Sequence, residues 1–288
     1  MSINILKNIL PWRLRLFIHE FLVKHPRFDV DVIKQKKTDY DYNLTVFENH
    51  IKKMKIRSLE GTTMVEMGPG DSLTHAAIAY DRGVEKTYLL DIADLASANR
   101  LVSTDEIDKM CVDLKLKNIK VFDSQSNVTM LSFMKQLNAV YLIDGLRSYY
   151  EVPTESVDFI FSQAVLEHVR LRIFEDTIKE TYRMCKHGAI CSHEVDFSDH
   201  LGGKLNHLRF SADIWEDELH TAMPNYVNRL GLSRMLEIFL KCGFEIVDVE
   251  KGLFDKPQID RVYLDSEFRE WSDDELLISC AWIVVKKP

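Results

Sequence analysis

Short apolar runs at 63–67, 86–91, 139–143, 157–162, 188–193, 244–250 and 278–285 alternate with longer stretches of helical character. Runs of this length bounded by turn residues read as strands, and their alternation with helices predicts a mostly parallel sheet covered on both faces. The last two runs are apolar enough to pair as an antiparallel edge. Leu73 to Tyr80 reads as the helix after the first strand, Met130 to Leu137 as the one before the third, and Ser233 to Leu240 as an amphipathic run before the sixth. Pro153 marks the loop ahead of the fourth strand, and Lys186-His187-Gly188 reads as a helix C-cap ahead of the fifth.

Two connections are longer than the sheet requires: 92–138 between the second and third strands, and 194–240 between the fifth and sixth. Ligands in open α/β sheets sit outside the carboxyl ends of the strands, so an insertion after the fifth strand is placed to cover an acceptor. The expected division is a helical extension over 1–58 and one domain over 59–288, with the cap at about 194–240.

The first strand ends in Val65-Glu66-Met67-Gly68-Pro69-Gly70-Asp71-Ser72. A Gly-x-Gly turn opening a helix lets backbone approach a nucleoside, because glycine has no Cβ to block the ligand or forbid positive φ. A dinucleotide fingerprint places a third glycine three residues after the second, where this chain has Leu73, and no Gly-Lys-Ser/Thr follows to make a phosphate loop. Glu66 stands two residues before the first glycine, where a carboxylate suits a cationic ligand better than a pyrophosphate. That choice favours the ammonium and sulfonium of S-adenosylmethionine. The second strand ends at Asp91, about twenty residues past the turn, a spacing that sets a carboxylate over ribose hydroxyls.

Together with the fourth-strand segment Ser162-Gln163-Ala164-Val165-Leu166-Glu167-His168-Val169, these stretches resemble the class I S-adenosylmethionine-dependent methyltransferases over roughly 60–250. The resemblance implies a Rossmann-like seven-stranded, mostly parallel sheet with helices on both faces and an antiparallel C-terminal edge strand. It also implies S-adenosyl-L-methionine as cofactor, with Glu66, Gly68, Gly70 and Ser72 at its aminoacyl end. Asp91 and Ile92 would hold ribose and adenine, Asp144 and Gly145 the adenine edge, and Ser162 with Gln163 the floor under the methionine.

For an oxygen acceptor, methyl transfer needs alignment, exclusion of water and a base. His193-Glu194-Val195-Asp196-Phe197-Ser198-Asp199-His200 follows the fifth strand and resembles a stretch of bacterial methyltransferases linked to small molecules and glycans, which continue into Asn-Arg-Leu like Asn228-Arg229-Leu230. His193 and His200 are the expected bases, with Asp196 as orienting acid. The Glu167–His168 pair lacks a surrounding carboxylate cluster, so no metal is expected. Ser162-Gln163-Ala164-Val165 departs from the Asn/Asp-Pro-Pro-aromatic turn of enzymes that methylate adenine or amide nitrogen. An oxygen on a small molecule, sugar or glycan intermediate is therefore the expected acceptor, with other nitrogens behind it. An NAD-dependent oxidoreductase and a catalytically silent methyltransferase-like binding protein are the competing readings.

Composition narrows the partners. A net charge of −8 over 288 residues, with no basic patch among aromatics in the body of the chain, argues against nucleic acid. Cys111, Cys185, Cys191, Cys242 and Cys280 are odd in number and form no Cys-x-x-Cys pair, as expected of reduced cytoplasmic thiols. Residues 1–28 carry five basic residues against one acid, and the apolar run 3–23 is interrupted by charge. Two readings of that run stay open: peripheral contact with an anionic membrane, or packing on the core or on a second subunit in a homodimer.

Overall fold

The computed structural model describes residues 40–119, 128–200, 202–223 and 226–288. The expectations for 1–28, and most of the 1–58 extension, lie outside these residues. Among these residues helix α1 (Tyr40–Met54) comes first, followed by β1 (Thr63–Met67), α2 (Thr74–Asp81) and β2 (Lys86–Leu90). The long connection after β2 contains β3 (Leu101–Val102), α3 (Thr104–Asp113), β4 (Val128–Thr129) and α4 (Met130–Gln136), with β3 and β4 forming a small antiparallel ladder. Next are β5 (Ala139–Leu142), α5 (Leu146–Tyr150), β6 (Val157–Gln163), a 3₁₀ turn over Leu166–His168, α6 (Leu171–Met184) and β7 (Cys185–Asp196). Short helices α7 (Ala212–Trp215) and α8 (Glu218–Thr221) precede α9 (Leu232–Lys241), β8 (Glu245–Leu253), α10 (Asp273–Leu277) and β9 (Ile278–Lys286).

Seven strands form one sheet in the order β5-β2-β1-β6-β7-β9-β8. The first five run parallel, and β9 runs antiparallel to both β7 and β8. This is the Rossmann-like sheet that the resemblance implies, with β9 one place in from the edge and β8 outside it. The order reverses between β1 and β6, which puts the topological switch point, where such sheets bind ligands, at the carboxyl ends of those two strands.

Alternation within the strands sorts the core into two layers. Phe159 and Phe161 of β6 face α1, α2 and the α3–α4 connection, while Ile160 between them faces α6 and α9. β1 is buried at four of its five positions, as expected of a strand covered on both faces. Helix α9 carries Leu232, Met235, Ile238 and Phe239 on its buried stripe, the i, i+3, i+6, i+7 spacing that packs a helix on a sheet.

Two features depart from the sequence reading. Lys186-His187-Gly188 does not cap a helix: α6 ends at Met184, its C-cap Cys185 is already extended, and these residues open β7 with Gly188 at φ 84°. The Gly188 amide is taken up by the Lys287 carbonyl at 2.8 Å, so the glycine serves the strand. The segment expected as a cap also packs against a second one. The chain between β7 and α9 packs Leu205 and Leu208 against Ile259, Leu264, Phe268 and Leu276 from the segment between β8 and β9. Arg229, with its side chain 2 % exposed, joins the two segments. It donates to the Phe210 carbonyl at 2.7 Å, faces Glu216 and Glu267, and lies over the Phe268 ring. Among the described residues, no helix is long and apolar enough to cross a membrane.

Candidate functional site

The glycine turn and the second-strand acid meet at the switch point. Gly68 has φ 68° and donates its amide to the Leu90 carbonyl at 2.7 Å. A Cβ there would stand 2.5 Å from Val165 Cγ2, so the segment after β6 is pressed directly onto the turn. Gly70 has φ 65° and donates to Asp91 Oδ2 at 3.0 Å, and a Cβ there would meet no atom within 4 Å. One side of this turn is closed by protein and the other is open. Asp91 Oδ1 accepts from the Ile92 amide at 2.7 Å. Burial raises the Asp91 pKa, while these backbone donors work in the other direction. A carboxylate has about four lone-pair positions, and with the Ala93 amide as a third backbone donor one remains for a further donor.

Ile92 is 79 % exposed, unusual for isoleucine, and its Cγ2 lies 3.8 Å from where a Gly145 Cβ would be. The Gly145 amide donates to the Asp91 carbonyl at 2.9 Å. Asp91, Ile92 and Gly145 thus form one slot. The Asp144 side chain stands outside it, exposed and 3.8 Å from Arg147. Ser72 donates its hydroxyl to Thr74 at 2.8 Å, and beside it a cavity of about 260 Å³ extends between the start of α2 and Ile107, Met110 and Phe133.

Glu66 is buried, and its Oε1 lies 2.7 Å from His75 Nδ1. The other His75 nitrogen faces the Asn43 carbonyl at 3.0 Å. Burial alone would lower the His75 pKa, but the Glu66 charge and these two hydrogen bonds raise it above its ordinary value. Both ring nitrogens then donate, as only an imidazolium can. One Glu66 oxygen is thereby engaged, and Oε2 is buried with no partner among the described residues.

The end of β6 sends its side chains to opposite faces of the sheet. The Ser162 hydroxyl lies in the α9 layer, 2.8 Å from His193 Nδ1, and both residues are fully buried. Gln163 turns to the other face, where a polar chain runs beneath the sheet end. Trp282 Nε1 donates to Ser192 Oγ, Ser192 to His50 Nδ1, His50 Nε2 to Gln163 Oε1, and Gln163 Nε2 to Glu194 Oε2, at 2.7, 2.9, 3.2 and 2.9 Å. His50 is neutral in this chain: burial first, and the nearby His193 second, lower its pKa to about 3. Helix α1 therefore fixes the Gln163 amide, a contact that no local pattern around either residue signals.

His193 cannot serve as the expected base in this arrangement. Its ring stacks on Phe239 of α9 at 5.4 Å, it has no exposure, and burial lowers its pKa to about 3. Its neighbours at i±2, Cys191 and Val195, are also fully buried, and that alternation was the sequence signal for a core position. Asp196 accepts from the amide and hydroxyl of Ser198 at 2.8 and 2.6 Å, so it organises its own turn. His200 is exposed, and its ring stacks on His168 with centroids 5.2 Å apart and planes at 12°.

The turn carrying His168 is held from the cap. Asn228 donates both side-chain amide hydrogens, to the Leu166 and Val169 carbonyls at 2.7 and 2.8 Å, and its backbone amide donates to the Glu167 carbonyl. The Tyr226 hydroxyl accepts from the Leu171 amide, and the Tyr226 carbonyl accepts from His168 Nδ1 at 2.6 Å. Ala164, just before this turn, has φ 51°, a left-handed conformation that costs a non-glycine residue roughly 1–2 kcal/mol. It swings the chain off the sheet and onto Gly68. The Glu167 carboxyl is buried behind the turn, and burial, reinforced by Glu194 and Asp196, raises its pKa well above the usual carboxylate range.

No family model matches the chain, and a search of curated proteins finds no match. Solved structures do resemble it. A SAM-dependent methyltransferase from Archaeoglobus fulgidus is 14 % identical, with 90 % of this chain and 100 % of that one covered at a TM-score of 0.48. An S-adenosylmethionine-dependent methyltransferase from Mesorhizobium loti is 12 % identical, with 82 % and 95 % covered at 0.45. Phosphoethanolamine N-methyltransferase 2 from Haemonchus contortus, solved with S-adenosyl-L-methionine, is 15 % identical, with 85 % and 52 % covered at 0.46.

Proposed function

We propose that the chain is an S-adenosylmethionine-dependent methyltransferase acting on an oxygen, less readily a nitrogen, of a small molecule, sugar or glycan intermediate. The joined pair Gly70–Asp91 carries this reading: it keeps open space over the turn while leaving a carboxylate position free beside the Ile92–Gly145 slot. The buried, unpartnered Glu66 Oε2 supports it, because a buried carboxylate oxygen without a donor is costly and a cationic aminoacyl group would supply one. In this reading Asp91 binds the ribose, Ile92 and Gly145 flank the adenine, and Glu66 faces the aminoacyl end. The bound cofactor supplies a methyl group already activated by sulfonium. The chain's remaining tasks are to align the acceptor beneath the two-part cap, exclude water and take up the acceptor's proton.

Calorimetry with S-adenosylhomocysteine and with NAD tests the reading. Binding of the first and not the second is expected; tight NAD binding with no response to S-adenosylhomocysteine overturns it.

A further inference from the structure

We propose that His168 is the general base of the transfer, taking the acceptor's proton at Nε2, with His200 as a positioning residue stacked on its ring. The proposal rests on the methyltransferase reading and names the proton acceptor that reading requires.

The tautomer is set by the fold. A ring nitrogen facing a carbonyl must carry the hydrogen, so the 2.6 Å contact with the Tyr226 carbonyl makes Nδ1 the donor. In the neutral ring the lone pair then sits on Nε2, which makes no hydrogen bond among the described residues. His168 is only partly buried, unlike His193.

Position also favours it. His168 closes the 3₁₀ turn by donating its amide to the Val165 carbonyl at 2.9 Å. That turn begins at Val165, the residue pressed against Gly68. Asn228 and Tyr226 fix this turn and the start of α6 through five hydrogen bonds, a rigid mount of the kind a proton acceptor needs.

Two titratable groups face the ring, His200 across the stack and Asp196 from the end of β7. Burial is the main influence lowering the His168 pKa, and His200 adds to it, against the Tyr226 carbonyl and Asp196. The ring is thus neutral and able to accept at neutral pH. As the acceptor oxygen forms its bond to the methyl carbon, the carbon–sulfur pair returns to sulfur, and the oxygen's proton passes to Nε2 to leave an imidazolium.

Three measurements on the full chain test this. In ¹⁵N imidazole spectra of the protein without cofactor, His168 should show the Nδ1–H tautomer, and His200→Ala should raise its midpoint by removing a neighbouring positive charge. His168→Gln should bind S-adenosylhomocysteine within about threefold of wild type by calorimetry. With tritiated S-adenosylmethionine and a metabolite extract of the source organism, the same variant should transfer label about 10²- to 10⁴-fold more slowly. It should also lose the acid limb of the rate profile. An Nε2–H tautomer, or wild-type transfer by both His168→Gln and His168→Ala, overturns the proposal. Wild-type protein that does not bind S-adenosylhomocysteine, or binds it and labels nothing, overturns the methyltransferase reading itself.

Discussion

Gly70 and Asp91, twenty-one residues apart, are joined by a 3.0 Å hydrogen bond from backbone amide to carboxylate, so the glycine turn and the second-strand acid form one structure. Asp91→Asn should remove two charge-assisted bonds and, on the proposed reading, the ribose contact as well. Weakening of S-adenosylhomocysteine binding by at least about tenfold is expected in calorimetry, since a hydrogen bond to a charged group contributes about 1.5–3 kcal/mol. Unchanged affinity would remove Asp91 from the site.

Gly68→Ala should fail for two reasons at once, a strained φ of 68° and a methyl 2.5 Å from Val165 Cγ2. Overpacking of this kind costs about 1–3 kcal/mol, to be read as a lower urea midpoint. Shortening the opposing side chain tests the contact directly. Gly68→Ala should cost less in a Val165→Ala background than in wild type; an equal cost in both would assign the penalty to φ alone.

The buried neutral histidines should make the protein acid-sensitive. His50 and His193 keep folded pKa values of about 3, below the ordinary 6.5, so the unfolded chain takes up protons first as pH falls. Their contribution to stability is complete above pH 6.5 and is lost between there and about 3, at up to about 1.4 kcal/mol per pH unit for each histidine. Urea midpoints at pH 7, 5.5 and 4.5 should converge between wild type and His193→Phe as pH falls. Parallel curves would show that His193 is protonated in the folded state.

Arg229→Ala should loosen the cap and leave the sheet intact. The guanidinium serves the Phe210 carbonyl, Glu216, Glu267 and the Phe268 ring together. Loss of about 1.5–3 kcal/mol is expected in chemical denaturation, with proteolysis beginning between Phe197 and Arg229. Lysine should not restore the stability, because its single ammonium cannot reproduce a planar fork lying on an aromatic face. Full recovery in Arg229→Lys would show that charge alone suffices.

The strands were legible because each is a short apolar run between turn residues, and β1 matches its expected span, Thr63–Met67. The Gly68–Gly70 turn and Asp91 were legible because their spacing follows from chain geometry at the switch point. His193 was misread for want of one comparison: apolar Cys191 and Val195 share its face, while Glu194 and Asp196 share the other. The link from His50 to Gln163 spans 113 residues, and that from Asn228 to Leu166 spans 62. Contacts at such separations depend on how layers stack, which no window along the sequence contains. The second half of the cap escaped for the same reason, since its apolar residues find their partners in the first half.

Because β9 lies between β7 and β8, the sheet is not assembled in the order in which it is synthesised. When β8 leaves the ribosome its only partner does not yet exist, and neither does the outer neighbour of β7. Leu205 and Leu208 likewise wait for Ile259 and Phe268. Until the last strand arrives, the nascent chain carries two open backbone edges, a state in which strands pair with the wrong neighbours. Closure of the sheet is therefore a late event, and a nascent chain halted before Ile278 lacks it although both halves of the Leu205–Phe268 cluster are already present.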